Sequence, residues 1–251
     1  MILSMVEALP LQRLGMLPRQ AAACGLACAR TTLATVPIVI AYHLIWTVYG
    51  WWLPNDPRGS GSRFINSDTI AALGELHPGR KRIQPARRVV RDFYEHAAKV
   101  LRHPLLEIRD RALDIVAAAF ARVIKEQNYT CYACAIMPDH VHIVVRKHRH
   151  SAEEMIEKLQ NAARWALIES TPCLWPDDHP VWTAGGGWKV FLDHPDEVER
   201  TIPYVEKNPI KIGLPPQRWP FVVPYDRWPL HAGHSANSPY VKALRAAGRY
   251  P

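Results

Sequence analysis

The chain of 251 residues is 48% hydrophobic and 22% charged, an ordinary globular balance that supports a packed core. Its formal net charge of +8 and pI of about 9.4 favour a polyanionic partner, either nucleic acid or an acidic membrane surface. Five cysteines, an odd count without disulfide-framework spacing, argue against a disulfide scaffold and make a reducing cytoplasm the default.

Residues 1–36 mix Pro, Ala and Cys without a period and are expected to form a poorly ordered leader. Their first basic residue is Arg13, so no cationic start precedes a signal-peptide core. The nearest approach to a membrane span, residues 31–46, is shorter than the roughly 20 residues a span needs and contains His43, so a soluble protein is expected. Residues 38–48 are rich in β-branched and aromatic side chains and predict a strand. The turn-rich "LPNDPRGSGS" then opens a basic insertion over about 60–91, which includes "GRKRIQPARRVV". Residues 105–127 space Leu106, Leu113, Val116, Phe120, Val123 and Ile124 as one helical face. "YTCYACAIM" and "HVHIVVR" predict a hairpin turning at Pro138-Asp139. Ser151 with Glu154 is a capping box for a helix reaching about Glu169. "WKVFL" predicts a short strand, and a last helix is expected from about Pro195 to Lys207, with Asp196 and Glu197 in its first turn. Beyond Leu214 the chain is rich in Pro and Trp and has no period, and 231–251 is assigned to a tail. The order of elements over 37–230 predicts one α+β domain, a ferredoxin-like antiparallel sheet with helices packed on one face.

Within "MPDHVHIVV", strand alternation sends His140 and His142 to one face and Val141 to the other. Two imidazoles on neighbouring rungs suit a shared divalent cation. A lone His-x-His is equally a pair of partly exposed strand residues, but this one directly follows a tight turn. Cys131 and Cys134 occupy odd and even positions of the preceding strand, so alternation separates them and no zinc site with the histidines is expected.

A second cluster lies in "TIPYVEKNPIKIGL", where Tyr204 and Asn208 are i and i+4 on a helix and share a face. An Asn carbonyl can complete a metal shell, and a phenol one turn away suits nucleophilic phosphoryl transfer. The same residues also read as a half-buried helix tyrosine and an Asn-Pro stop. Pro203, inside the helix, deletes one hydrogen bond and is expected to kink it beside Tyr204.

Taken together, "AYHLIWTVYGWWLPNDPRG", "AIMPDHVHIVV" and "VWTAGGGWKVFLDHPDEVERTIPYVEKNPIKIGLP", followed by "WPFV", resemble the HUH single-tyrosine transposases, specifically the REP-associated tyrosine transposases, over roughly residues 38–228. The resemblance implies a cytoplasmic, nucleoid-associated enzyme that nicks single-stranded DNA beside hairpin-forming repeats through a 5′-phosphotyrosine, as a monomer or homodimer. Carried over by residue, His140 and His142 match the metal pair, Tyr204 the nucleophile and Asn208 a third ligand, with Mg²⁺ or Mn²⁺ as the ion. Candidate DNA contacts are Arg58, Arg87, Arg88 and Lys211, together with Arg146, Lys147 and Arg149, which the metal strand is expected to keep close to the site. Two rival readings keep the fold but change the chemistry: a phosphodiesterase that uses metal and water, and a domesticated, non-catalytic DNA-hairpin binder.

Overall fold

The computed structural model describes residues 38–170, 179–229, 237 and 239–248; the leader at 1–36, Cys24, Cys28, Cys173 and tail residues 231–236, 238 and 249–251 lie outside the described residues. The runs of β-branched and aromatic residues form β1 (Ala41–Thr47), β4 (Cys131–Ile136), β5 (His140–Arg146) and β6 (Trp188–Leu192). They build one antiparallel sheet in the order β4-β5-β1-β6. Joined by a helix after the first strand and another after the third, this order is the ferredoxin-like α+β sheet expected from sequence.

Those crossover helices, α3 (Asp110–Gln127) and α4 (Ala152–Ser170), pack together on one face. Leu44, Trp46 and Val48 of the first strand segment and Val141, Ile143 and Val145 of β5 meet Val116, Phe120, Met155, Leu159 and Leu167 there. α3 begins at Asp110, later than the periodicity suggested, because residues 105–109 bond elsewhere: Leu106 N–H to the Tyr49 carbonyl (3.3 Å) and Ile108 N–H to Pro138 (2.9 Å). The capping box forms at α4, with Ser151 N–H donating to Glu154 (2.6 Å) and Glu154 N–H to Ser151 Oγ (3.2 Å).

The helix that follows the last strand takes the opposite face. α5 (Pro195–Glu206) continues into α6 (Asn208–Lys211), and the tail adds α7 (Pro239–Ala246). Val198 and Val205 of α5, and Tyr240 and Leu244 of α7, share a second core with Ala41, Val144 and Leu192.

The basic insertion is an ordered appendage. β2 (Gly59–Ser60) pairs with β3 (Gly79–Arg80), flanking α1 (Asp68–Ala71), and α2 (Arg87–Val100) follows. Val90, Tyr94 and Ala97 of α2 bury against Leu53 as a separate small core. Among the described residues, no helix is long and apolar enough to cross a membrane.

Phe120 is fully buried and Ile83 is 87% exposed. Phe120→Ala is expected to cost about 3–5 kcal/mol in urea unfolding, whereas Ile83→Ala is expected to stay within about 0.5 kcal/mol.

Candidate active site

The register of β1 on β5 places Thr47 opposite His140, Ile45 opposite His142 and His43 opposite Val144. Paired residues point the same way, so His43, His140 and His142 all occupy the sheet face opposite α3 and α4. His43 was not singled out as a site residue from sequence. Its selection depends on cross-strand register, which its own strand does not reveal.

The three rings form a connected chain. His140 Nε2 lies 3.0 Å from His142 Nε2, and His142 Nδ1 lies 2.9 Å from His43 Nε2. At the outer end, His140 Nδ1–H donates to Asp139 Oδ1 at 2.6 Å. His43 and His142 are each 1% exposed and His140 is 7% exposed. Burial lowers the His142 pKa well below its ordinary value, and the neighbouring His140, His43 and Lys211 charges lower it further. Burial, aided by His140, brings His43 down to about 4. Burial alone would raise Asp139, but the His140 ring and the Arg58 guanidinium more than offset it, so the carboxyl lies below its usual range.

This geometry fits a cation. With His140 protonated on Nδ1, its Nε2 carries a lone pair, and His142 can present a second lone pair by holding its own proton on Nδ1 against His43. Two metal–nitrogen bonds of about 2.1 Å near a right angle separate their nitrogens by about 3.0 Å. A carboxylate on the outer nitrogen, as Asp139 is on His140, is a usual orienting partner for metal-binding histidines, and His43 occupies the corresponding place on His142. Among the described residues, no group of three or more His, Cys, Asp or Glu side chains could hold a metal ion. Any further donors must therefore be an amide, a phenol, water or substrate oxygen. Asn208 is 3% exposed, and its Nδ2 has no hydrogen-bond partner among the described residues.

The Tyr204 ring lies edge-on to both inner histidines, with centroids 6.0 Å from His142 and 6.0 Å from His43. Lys211 Nζ sits 4.6 Å from the Tyr204 ring centroid. Pro203 does not break α5, which runs through it to Glu206, and Lys207 N–H still donates to the Pro203 carbonyl at 3.1 Å. The carbonyl deprived of a donor belongs to Glu199, an exposed residue where water can replace the lost bond.

Several sequence expectations need correction. A bulge between Cys131 and Ala133 resets strand alternation, so Cys131 and Cys134 both face the α3–α4 core. They are thus together, not apart, and on the side away from the histidines; burial raises both thiol pKa values. Arg58 points inward rather than to solvent. Its side chain is 13% exposed and ion-paired with Asp56 at 2.7 Å, and Tyr94 also donates to Asp56. The Arg58 guanidinium stacks 3.9 Å from the Trp52 ring, whose centroid is 6.4 Å from that of His140. Arg146 stacks on Trp228 at 3.9 Å. Lys147 and Arg149 are exposed but lie past the far end of β5. A rise of about 3.4 Å per residue puts Lys147 roughly 17 Å along the strand from His142. Arg87 and Arg88 are exposed on α2.

No family model matches this chain, and no curated protein matches it. Among solved structures it is similar to a candidate transposase from Deinococcus radiodurans R1, with 12% identity and a TM-score of 0.36 over 73% of this chain and 98% of that one. It is also similar to a REP-associated tyrosine transposase bound to a REP hairpin, with 13% identity and a TM-score of 0.33. That second match spans 42% of this chain and 64% of the other, less than two thirds of its length.

The buried histidines make stability pH-dependent in a defined direction. In the unfolded chain His43 takes a proton near its ordinary value of 6.5, whereas in the fold it resists until about 4. The unfolded state therefore binds more protons across that interval, and acid favours unfolding by at most about 1.4 kcal/mol per pH unit per histidine. Urea unfolding of the chelator-treated protein is expected to be level above pH 7 and to weaken steadily from pH 6.5 to 4. His43→Asn is expected to flatten that slope; a slope already flat in the parent protein contradicts the burial of neutral rings.

Proposed function

We propose that this chain is a metal-dependent endonuclease and strand transferase of the HUH single-tyrosine type, with single-stranded, hairpin-associated DNA as substrate and Tyr204 as nucleophile. The observation that carries this reading is the 3.0 Å approach of the His140 and His142 Nε2 atoms, with the Tyr204 ring 6.0 Å from His142. The motif resemblance assigns the same three residues.

In this reading His140 and His142 hold Mg²⁺ or Mn²⁺, with the Asn208 amide oxygen as the third side-chain donor. Such an ion supplies Lewis-acid polarisation of a phosphodiester oxygen when bound. Asp139 and His43 act through the histidines: each fixes the tautomer and angle of the ring it touches. The Tyr204 oxygen attacks the phosphorus, and the bond from phosphorus to the 3′ oxygen breaks. The phenol proton is lost to solvent, the departing 3′ oxygen takes one up, and the product is a 5′-phosphotyrosine with a free 3′-hydroxyl. The Lys211 ammonium, 4.6 Å from the Tyr204 ring centroid, adds positive charge beside the scissile phosphate in this reading. Attack by another 3′-hydroxyl reverses the bond exchange and joins strands.

The choice between phenol and water as nucleophile is directly measurable. With labelled single-stranded hairpin DNA and Mn²⁺, the parent protein is expected to give a denaturation-resistant protein–DNA species. Tyr204→Phe is expected to abolish that species while keeping Mn²⁺ binding, and His142→Ala is expected to lose both. Nicking that persists in Tyr204→Phe assigns the chemistry to water. Hairpin binding without nicking, in the parent protein and irrespective of metal, leaves only a DNA-binding role.

A further inference from the structure

We infer that the basic insertion is a single-strand-binding arm, and that the DNA track runs from the histidine pair across the sheet face over Trp188 to Phe64 and the Arg63, Lys81 and Arg82 side chains. The inference rests on the single-stranded substrate proposed above and adds a site outside the catalytic residues.

The starting point is sheet register. Ile45 of β1 pairs with His142 on one side and with Trp188 on the other, so the three residues form one row across three strands, all facing the site. Two strand spacings put Trp188 about 10 Å from His142. Along β1 and β6, exposure rises toward this row. Ala41 and Leu192, paired deeper under α5, are buried, whereas Ile45 is partly exposed and Trp188 is 42% exposed. Trp188 follows Gly187, where φ is +64 and an added Cβ would lie 2.5 Å from the Ile45 carbonyl oxygen, so only glycine brings the chain so close to β1 at this point. An exposed indole held at the level of the histidines has a π-face available to a base.

The insertion begins against that indole. A Cβ on Gly61 would meet the Trp188 ring at 3.1 Å, so the two segments already touch closely. Three residues later Phe64 is 64% exposed, and Ile83 on the same appendage is 87% exposed. Residues 59–91 carry seven Lys and Arg against two Asp and Glu, a net +5 within a chain of net +8. Arg88 and Arg91 have Asp92 as a partner. Arg63, Lys81 and Arg82 are exposed and form no ion pair among the described residues.

The appendage is held in place. Lys81 N–H donates to the Arg58 carbonyl (3.1 Å), Ser60 N–H to His77 (2.8 Å) and the Asn55 amide to Ile70 (2.6 Å). Exposed cations alone would accept any polyanion. Exposed aromatic and aliphatic side chains between them select one whose base faces are uncovered, which a duplex hides and a single strand offers.

The test is fluorescence anisotropy of labelled single-stranded and duplex oligonucleotides with the full chain in EDTA, where nicking cannot contribute. Replacing Arg63, Lys81 and Arg82 together by alanine is expected to reduce the slope of log affinity against log salt by about 2 for single strands, at about 0.7 per lost phosphate contact. Phe64→Ala and Trp188→Ala are each expected to weaken single-strand binding about tenfold and to leave duplex binding unchanged, with Trp188→Tyr restoring it. Urea unfolding midpoints of the variants, matched to that of the parent protein, serve as the folding control. Unchanged salt slope in the triple variant, or equal losses for duplex and single strand in Phe64→Ala, overturns the inference. Absence of a covalent adduct in the nicking assay would defeat the catalytic proposal without altering these binding results.

Discussion

The antiparallel pairing of β1 with β5 is the constraint from which the site follows. A slip of one residue would carry every side chain of a strand to the opposite face. Leu44 and Trp46 would then leave the α3–α4 core, and His43 would leave His142. The apolar residues that lock this register and the histidines that need it alternate along the same strands. Core packing and site geometry are therefore one requirement, and the aliphatic neighbours of the imidazoles hold them still.

Burying three imidazoles is costly unless each ring stays neutral and its nitrogens find partners. The Asp139–His140–His142–His43 chain largely meets that demand, with His43 Nδ1 the one end that has no partner among the described residues. Metal-free, the chain is consistent as a line of hydrogen bonds running from His43 to Asp139. Moving the His142 proton from Nε2 to Nδ1, with the His43 proton passing from Nε2 to its unpartnered Nδ1, turns the same atoms into two convergent lone pairs. Little reorganisation therefore separates a satisfied buried cluster from one with two free ring lone pairs.

Local patterns were legible in the sequence, whereas non-local ones were not. The shared face of His140 and His142 needs only the two-residue period, and α4 needs only Ser151 and Glu154. The partner histidine at position 43 becomes visible only once strands are paired. Cys131 and Cys134 were assigned to opposite faces because a bulge, invisible in composition, shifts the phase between them. The stripe Val90, Tyr94, Ala97 that makes α2 helical is interrupted by Arg88, Arg91 and Asp92, so charge concealed its periodicity. The burial of Arg58 is invisible in its own segment because it depends on Tyr94, 36 residues away. Pro203 suggested a displaced nucleophile, yet its cost falls on one carbonyl at an exposed position.

The proposed chemistry requires that the two convergent ring nitrogens bind a cation beside Tyr204. Crystals grown with MnCl₂ and measured at the manganese absorption edge test it most directly. One anomalous peak bonded to Nε2 of both His140 and His142 is expected. A map with no peak there, in which the two rings keep their direct hydrogen bond at saturating Mn²⁺, would contradict it and leave the histidines as structural elements of the sheet.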